Sequence, residues 1–123
     1  MPQLKAFAAL ALMVALAGCA SNLPSYPVFF NPDATALTPD AQRVVVEIAH
    51  RSAAEHPSKV IVEGQADGAT SQETVLAEAR AGRVADALAA AGIDPARIER
   101  RPGVPAATDS GVSARKVLVT LVP

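Results

Sequence analysis

An aspartate in a glycine-containing turn and an arginine on the apolar face of a helix are the two residues of this chain whose types and spacing offer the most chemistry. Asp67 lies in Gly64 to Ala69, after the run Val60-Ile61-Val62, and Arg80 falls between Leu76 and Val84. At about 100° per residue, Leu76, Arg80, Val84 and Leu88 form one slowly drifting row on a helix, with Glu78 and Asp86 on the opposite side. A guanidinium in such a row must keep a partner or reach solvent at the domain's edge, because an unpaired buried charge costs several kcal/mol. Asp67 is the nearest candidate by topology, at the carboxyl end of a strand and before the start of the same helix. The pair can act in two ways. As an internal ion pair, Asp67 and Arg80 neutralise each other and pin the loop to the helix. As a ligand site, an exposed carboxylate and a bidentate Arg fork near a helix N-terminus hold a zwitterion, the carboxylate taking an ammonium and the fork and helix amides taking a carboxyl group.

Other chemistry has less to stand on. His50 and His56 lie on or just past an amphipathic helix and read as surface residues, and no Ser, Cys or paired carboxylate is spaced for nucleophilic or acid/base work, so catalysis is not expected. Asp67 has no clustered partners for a metal, and one cysteine among 123 residues excludes both an intramolecular disulfide and Cys/His zinc cages. No metal and no cofactor is expected. The net charge of −1, scattered basic residues and the scarcity of aromatics (no Trp, one Tyr, three Phe) give no footprint for nucleic acid. Arg97, Arg100 and Arg101 are read as a solvated strand edge that discourages edge pairing.

The N-terminus carries a separate signal. Met1 to Lys5 is a short basic leader, Ala6 to Leu16 is an uninterrupted apolar run, and Ala17-Gly18 are small residues directly before Cys19. The run is shorter than the about 20 apolar residues a permanent membrane span needs, so residues 1–18 read as a signal peptide. Leu16-Ala17-Gly18-Cys19 resembles the bacterial lipobox, which implies that Cys19 becomes the lipidated first residue of the mature chain. By the same resemblance Ala20, rather than Asp, after the cysteine favours sorting to the outer membrane of a Gram-negative cell. Loss of Lys5 takes the formal charge to −2. Residues 19–27 then comprise the lipidated Cys and a tether, and residues 28–123 one domain with a modest core.

The elements that must position Asp67 and Arg80 follow from pattern. Val28-Phe29-Phe30 reads as a short strand ended by Asn31-Pro32. Thr38-Pro39-Asp40 is a helix start, with Ala41, Val44, Val45, Ile48 and Ser52 recurring at helical spacing until His56-Pro57. Lys59 to Glu63 is a second strand and Gly64 to Ala69 a loop. Thr70-Ser71-Gln72-Glu73 fits a capping box and Gly92 a C-terminal cap, giving a second helix over about 71 to 91. Asp94-Pro95 is a turn, Arg97 to Arg101 a short strand, Pro102 to Gly111 a loop, and Arg115 to Val122 a closing strand. The order β-α-β-α-β-β argues for an α+β, two-layer sandwich with a mixed four-stranded sheet and both helices on one face.

Taken in order, Val28-Phe29-Phe30-Asn31-Pro32-Asp33…Leu37, Val60 to Asp67, Leu76-x-x-x-Arg80-Ala81 with Val84 and Leu88, Gly92-Ile93, and Arg115-Lys116-Val117 resemble the OmpA C-terminal domain, shared with the peptidoglycan-associated lipoproteins. The resemblance runs from about residue 28 to 122. It implies a βαβαββ fold and non-covalent binding of peptidoglycan through the diaminopimelate of its stem peptide, with Asp67 and Arg80 gripping the two charged ends. Asn31, Glu73 and Arg115 stand at further positions of the family's pattern and are weaker candidates for the same ligand. The chain departs from that pattern at Gln65 (family His), Ala66 (Thr), Glu73 (Asn), Ala114 (Asn) and Asn31 (Asp). Two functions follow: an outer-membrane lipoprotein, its domain facing the periplasm, that tethers the membrane to the cell wall; or a domain whose ligand site is degenerate and which serves as a structural module recruiting periplasmic envelope proteins.

Overall fold

The computed structural model describes residues 23–66, 70–105 and 114–123. Strand β1 (Ser25–Phe29) is followed by helix α1 (Pro39–Glu55), strand β2 (Lys59–Ala66), helix α2 (Ser71–Ala90), a short 3-10 helix (Pro95–Arg97), strand β3 (Ile98–Pro105) and strand β4 (Lys116–Val122). The strands form one mixed sheet in the order β1-β4-β2-β3, with β4 antiparallel to both neighbours and β2 parallel to β3. The α+β class and the element order are as the sequence pattern argued.

The sheet is two-sided because β2 and β4 alternate strictly, one face buried and the other half-exposed. Val60, Val62, Val117, Val119 and Leu121 point into a single core shared with Val45 and Ile48 of α1 and with Ala81, Val84 and Leu88 of α2. Each helix begins as its residues dictate. The Thr38 hydroxyl accepts from the Ala41 N–H at 3.0 Å, and the Thr70 hydroxyl from the Glu73 N–H at 3.2 Å. His56 closes α1 in the left-handed conformation (φ 52°), its N–H donating to the Ser52 carbonyl. Past α2, Gly92 takes φ 113°, and the Ile93 and Gly92 N–H groups donate to the carbonyls of Leu88 and Ala89, the paired bonds of a Schellman ending.

Three boundaries differ from the sequence reading. β1 starts at Ser25, not Val28, because Ser25, Tyr26 and Pro27 pair with Thr120, Val119 and Leu118; these three residues belong to the sheet rather than to the tether, and Phe30 lies just beyond the strand. β3 continues to Pro105 instead of ending at Arg101, since β2 offers it a parallel partner over that whole length. β2 likewise runs through Gly64 to Ala66, where a loop was expected, with a register shift between Glu63 and Gln65. Gly64 pairs with Val117 of β4, and there α2 approaches so closely that a Cβ would stand 2.8 Å from the Ala77 carbonyl carbon and closer still to its oxygen. A glycine inside a strand can signal such an approach as readily as a turn.

β3 forms one edge of the sheet, and its charges are arranged along it. Glu99 sits between Arg101 (2.8 Å) and Lys59 (3.5 Å), all three side chains 40–47% exposed. The hydrogen bond from Arg101 holds the Glu99 carboxyl below its ordinary value of 4.5, and Lys59 adds to the effect. A carboxyl depressed in the folded state contributes stability above its unfolded pKa and loses it as the pH falls through the folded one. The acid limb of the stability curve below pH 4.5 is therefore expected to be shallower in Glu99→Gln than in the native chain. Solvent screening makes the difference small, and superimposable curves would show that the pair contributes nothing.

Candidate functional site

β1 and β2 are both antiparallel to β4, hence parallel to each other, and each feeds a helix that runs back along the sheet. The N-termini of α1 and α2 are thus brought to the same pole of the domain, the one at the carboxyl ends of β1 and β2. In open sheets this is where ligands are commonly held. The segment Phe30 to Thr38, between β1 and α1, crosses this pole, and Arg80 reaches it from the middle of α2 because helical side chains lean toward the helix N-terminus.

Arg80 is buried, with 2% of its surface exposed, among apolar neighbours on its own row: Val84 and Leu88 are fully buried and Leu76 half-buried. Its Nε donates to the Ala34 carbonyl at 2.8 Å and its Nη2 to the Asn31 carbonyl at 3.2 Å, while the guanidinium stands 5.5 Å from the centre of the Phe30 ring. Nη1 makes no hydrogen bond among the described residues. Burial pulls the pKa of Arg80 below its ordinary value; Glu73 opposes this, Arg115 adds to it and Asp33 opposes it. The group remains a cation, since no environment of this kind neutralises an arginine.

Among the described residues the hydrogen bonds of this cation go to backbone carbonyls. Carbonyl oxygens carry partial negative charge and bury more cheaply than a carboxylate, so a nearly buried guanidinium can be satisfied by them. Asp67 lies outside the described residues. It follows Ala66, the last residue of β2, directly in the chain.

The weaker candidates gather on the same segment. Arg115, immediately before β4, donates from Nε to the Phe30 carbonyl at 3.2 Å, and the Phe30 N–H returns a bond to the Arg115 carbonyl at 2.9 Å. Asn31 takes part through its backbone, accepting from Arg80 and from the Ala34 N–H, with its side chain exposed. Glu73 receives the Thr70 cap on its backbone but its carboxylate returns no bond to Thr70 among the described residues, so only half of the expected capping box forms. Glu73 lines a cleft between the 30–38 segment and the first turns of α2, together with Asp33, Thr35, Val75, Leu76 and Ala79. Asp33 holds φ 55°, a conformation Asp tolerates better than most residues.

Phe30, Ala34 and Asp33 were not among the site residues expected from the sequence. Two of them act through backbone carbonyls, which every residue possesses and no side chain announces; Asn31-Pro32-Asp33 did carry a turn signal that could have pointed to Asp33. His50 and His56 are both exposed, as expected. Among the described residues no group of three His, Cys, Asp or Glu side chains could hold a metal ion, and no helix is long and apolar enough to cross a membrane.

A mixed sheet covered on one face by two helices, with an arginine of the second helix buttoned into the segment after the first strand, defines a small two-layer α+β class. The chain belongs to the OmpA family, whose model matches residues 29–118. Solved structures agree on the fold. The OmpA-like domain of FopA1 from Francisella tularensis is 20% identical with a TM-score of 0.68, over 80% of this chain and 72% of that one. The peptidoglycan-associated lipoprotein from Burkholderia pseudomallei is 21% identical with a TM-score of 0.61, over 78% and 87%. The cell wall anchor of the T6SS from Pseudomonas aeruginosa is 24% identical with a TM-score of 0.61, over 76% and 73%. No curated protein matches the chain.

Proposed function

We propose that this chain is an outer-membrane lipoprotein, anchored through Cys19, whose domain holds peptidoglycan non-covalently by the diaminopimelate of the stem peptide and so ties the membrane to the cell wall. It is a binding module, not an enzyme. The observation that carries the reading is the family match across residues 29–118, which includes Arg80, the residue the motif resemblance assigns to the ligand. In this reading Asp67 takes the ligand's ammonium. Arg80 offers Nη1, the guanidinium nitrogen that makes no hydrogen bond among the described residues, to its carboxyl group. Because Arg80 is held by the Asn31 and Ala34 carbonyls, it is pre-oriented and loses little freedom when a ligand arrives.

Retention of residues 20–123 on purified sacculi tests the clamp. Asp67→Asn is expected to lose about tenfold or more of its retention, the worth of one charge-assisted bond, with an unchanged melting midpoint. Equal retention of Asp67→Asn and the native chain would sink the clamp.

One observation favours a second reading. Arg80 is only 2% exposed and two of its nitrogens are committed to the protein's own backbone, which is what a purely structural arginine would show. The domain would then be an interaction module for periplasmic proteins. A diaminopimelate-containing peptide bound only by the native state must raise the thermal midpoint. A clear rise excludes this second reading, and its absence at millimolar peptide supports it.

A further inference from the structure

Two poles of the domain are set by the sheet. At one stand the Phe30 to Ala34 segment, the Arg80 guanidinium, Arg115 and the start of α2. At the other stand both ends of the described chain and the turn after α1. The Leu121 N–H donates to the Pro24 carbonyl at 3.1 Å, the Ser58 N–H to the Val122 carbonyl at 2.8 Å, and the Ser58 hydroxyl to the Pro123 carbonyl at 2.8 Å. The 8 residues of β2 span the distance between the poles, about 25 Å at the usual rise of a strand. The chain toward Cys19 therefore leaves from the pole remote from Arg80.

Pro24 is tied into the sheet, so only Cys19 to Leu23 can act as tether. Covalent geometry limits those five residues to about 17 Å even when fully extended. That is shorter than the separation of the poles. A domain held at Cys19 can tilt on its tether but cannot turn over, because bringing the Arg80 pole to the bilayer would lift Pro24 about 25 Å from it.

We propose that the pole formed by Pro24, His56, Ser58, Asp94 and Pro123 is the face turned to the lipid surface, and that the short tether keeps the Arg80 pole pointed away from the bilayer, engaging material only within roughly 40 Å of it. This rests on the reading of Cys19 as the anchored residue. It depends neither on the identity of the ligand nor on whether any ligand binds.

The test uses residues 19–123, which contain every described element and the chain's one cysteine. Cys19 is coupled to a maleimide-bearing lipid in nanodiscs whose other lipids include a gadolinium-chelating headgroup, and amide relaxation is read residue by residue. The amides of His56, Ser58 and Asp94 are expected to relax at least about tenfold faster than those of Asn31, Asp33 and Glu73, given poles about 25 Å apart and a steep distance dependence. Equal enhancement at the two poles, or the reverse order, overturns the proposal. A second variant carries a Gly/Ser insertion of about twenty residues after Ala20, long enough to span about 25 Å as a coil. Its ordering should collapse; persistence of the full contrast would show that the tether is not what orients the domain. Sacculus retention of the uncoupled chain is read in parallel, so loss of the ligand reading and loss of the orientation are separate results.

Discussion

Gly64→Ala should lower the thermal midpoint of the domain by more than ten degrees. The added methyl would meet the Ala77 backbone, 2.8 Å from the carbonyl carbon and nearer to the oxygen, and a backbone cannot rotate aside as a side chain can. Relief requires α2 to lift from β2, yet α2 supplies Ala81, Val84 and Leu88 to the core. Overpacking of this kind costs about 1–3 kcal/mol, and contact with backbone places it at the upper end. For a domain of this size about 3 kcal/mol corresponds to roughly 12–20 °C in the midpoint. Two comparisons sharpen the test. Ala77→Gly in the same chain should not rescue the variant, since the obstructing atoms belong to the peptide group. Gly82→Ala should be neutral or mildly stabilising, because its methyl would meet only the end of the Arg100 side chain at 3.0 Å, which is free to move, while helix propensity gains about 0.5–1 kcal/mol. A Gly64→Ala midpoint within a few degrees of the native one would show that α2 is not seated on β2 as described.

Arg80→Leu is expected to cost about 3 kcal/mol of stability as well as any peptidoglycan retention. The leucine fits the apolar row of Val84 and Leu88, so lost packing is not the main cost. It removes the donor to the Ala34 carbonyl, weakens the satisfaction of the Asn31 carbonyl, which keeps the Ala34 N–H, and ends the cation–π contact with Phe30. A part-buried carbonyl left without its charged donor costs about 1–3 kcal/mol, and the contact with the ring adds about 1. Arg80→Lys, with one ammonium in place of a fork, can satisfy one carbonyl but not both and should fall between Leu and the native chain. Denaturant unfolding of the three proteins checks the order. If Arg80→Leu unfolds at the native midpoint, the arginine does not hold the 30–38 segment. Asp67→Asn in the retention assay separates binding from this structural role.

The expected helices were legible because their signals are local. Thr38-Pro39 and Thr70 place the caps, Gly92 the Schellman ending, and the spacing of Val45, Ile48, Val84 and Leu88 the buried faces. Gly64 was not legible as a strand residue, because the helix that makes glycine necessary there contributes Ala77, whose own side chain says nothing of its carbonyl. Ser25 to Pro27 read as tether because two prolines and small polar residues suit a linker, and only β4 alongside converts them to a strand.

Arg80 divides the two sources of information most clearly. From the residues alone it followed that a cation stands on an apolar row and must be satisfied; the resemblance to the OmpA family added the expectation that such an arginine serves a ligand. The tertiary structure decided what holds it among the described residues: the carbonyls of Asn31 and Ala34 and the face of Phe30, on a segment remote in sequence. Side-chain charge and periodicity are properties of single residues and their neighbours, whereas the direction of a backbone carbonyl exists only once β1, β4 and α2 have packed. For the same reason the placing of both ends of the described chain, Pro24 and Pro123, at the pole opposite Arg80 belongs to the sheet order β1-β4-β2-β3 and not to any motif in the chain.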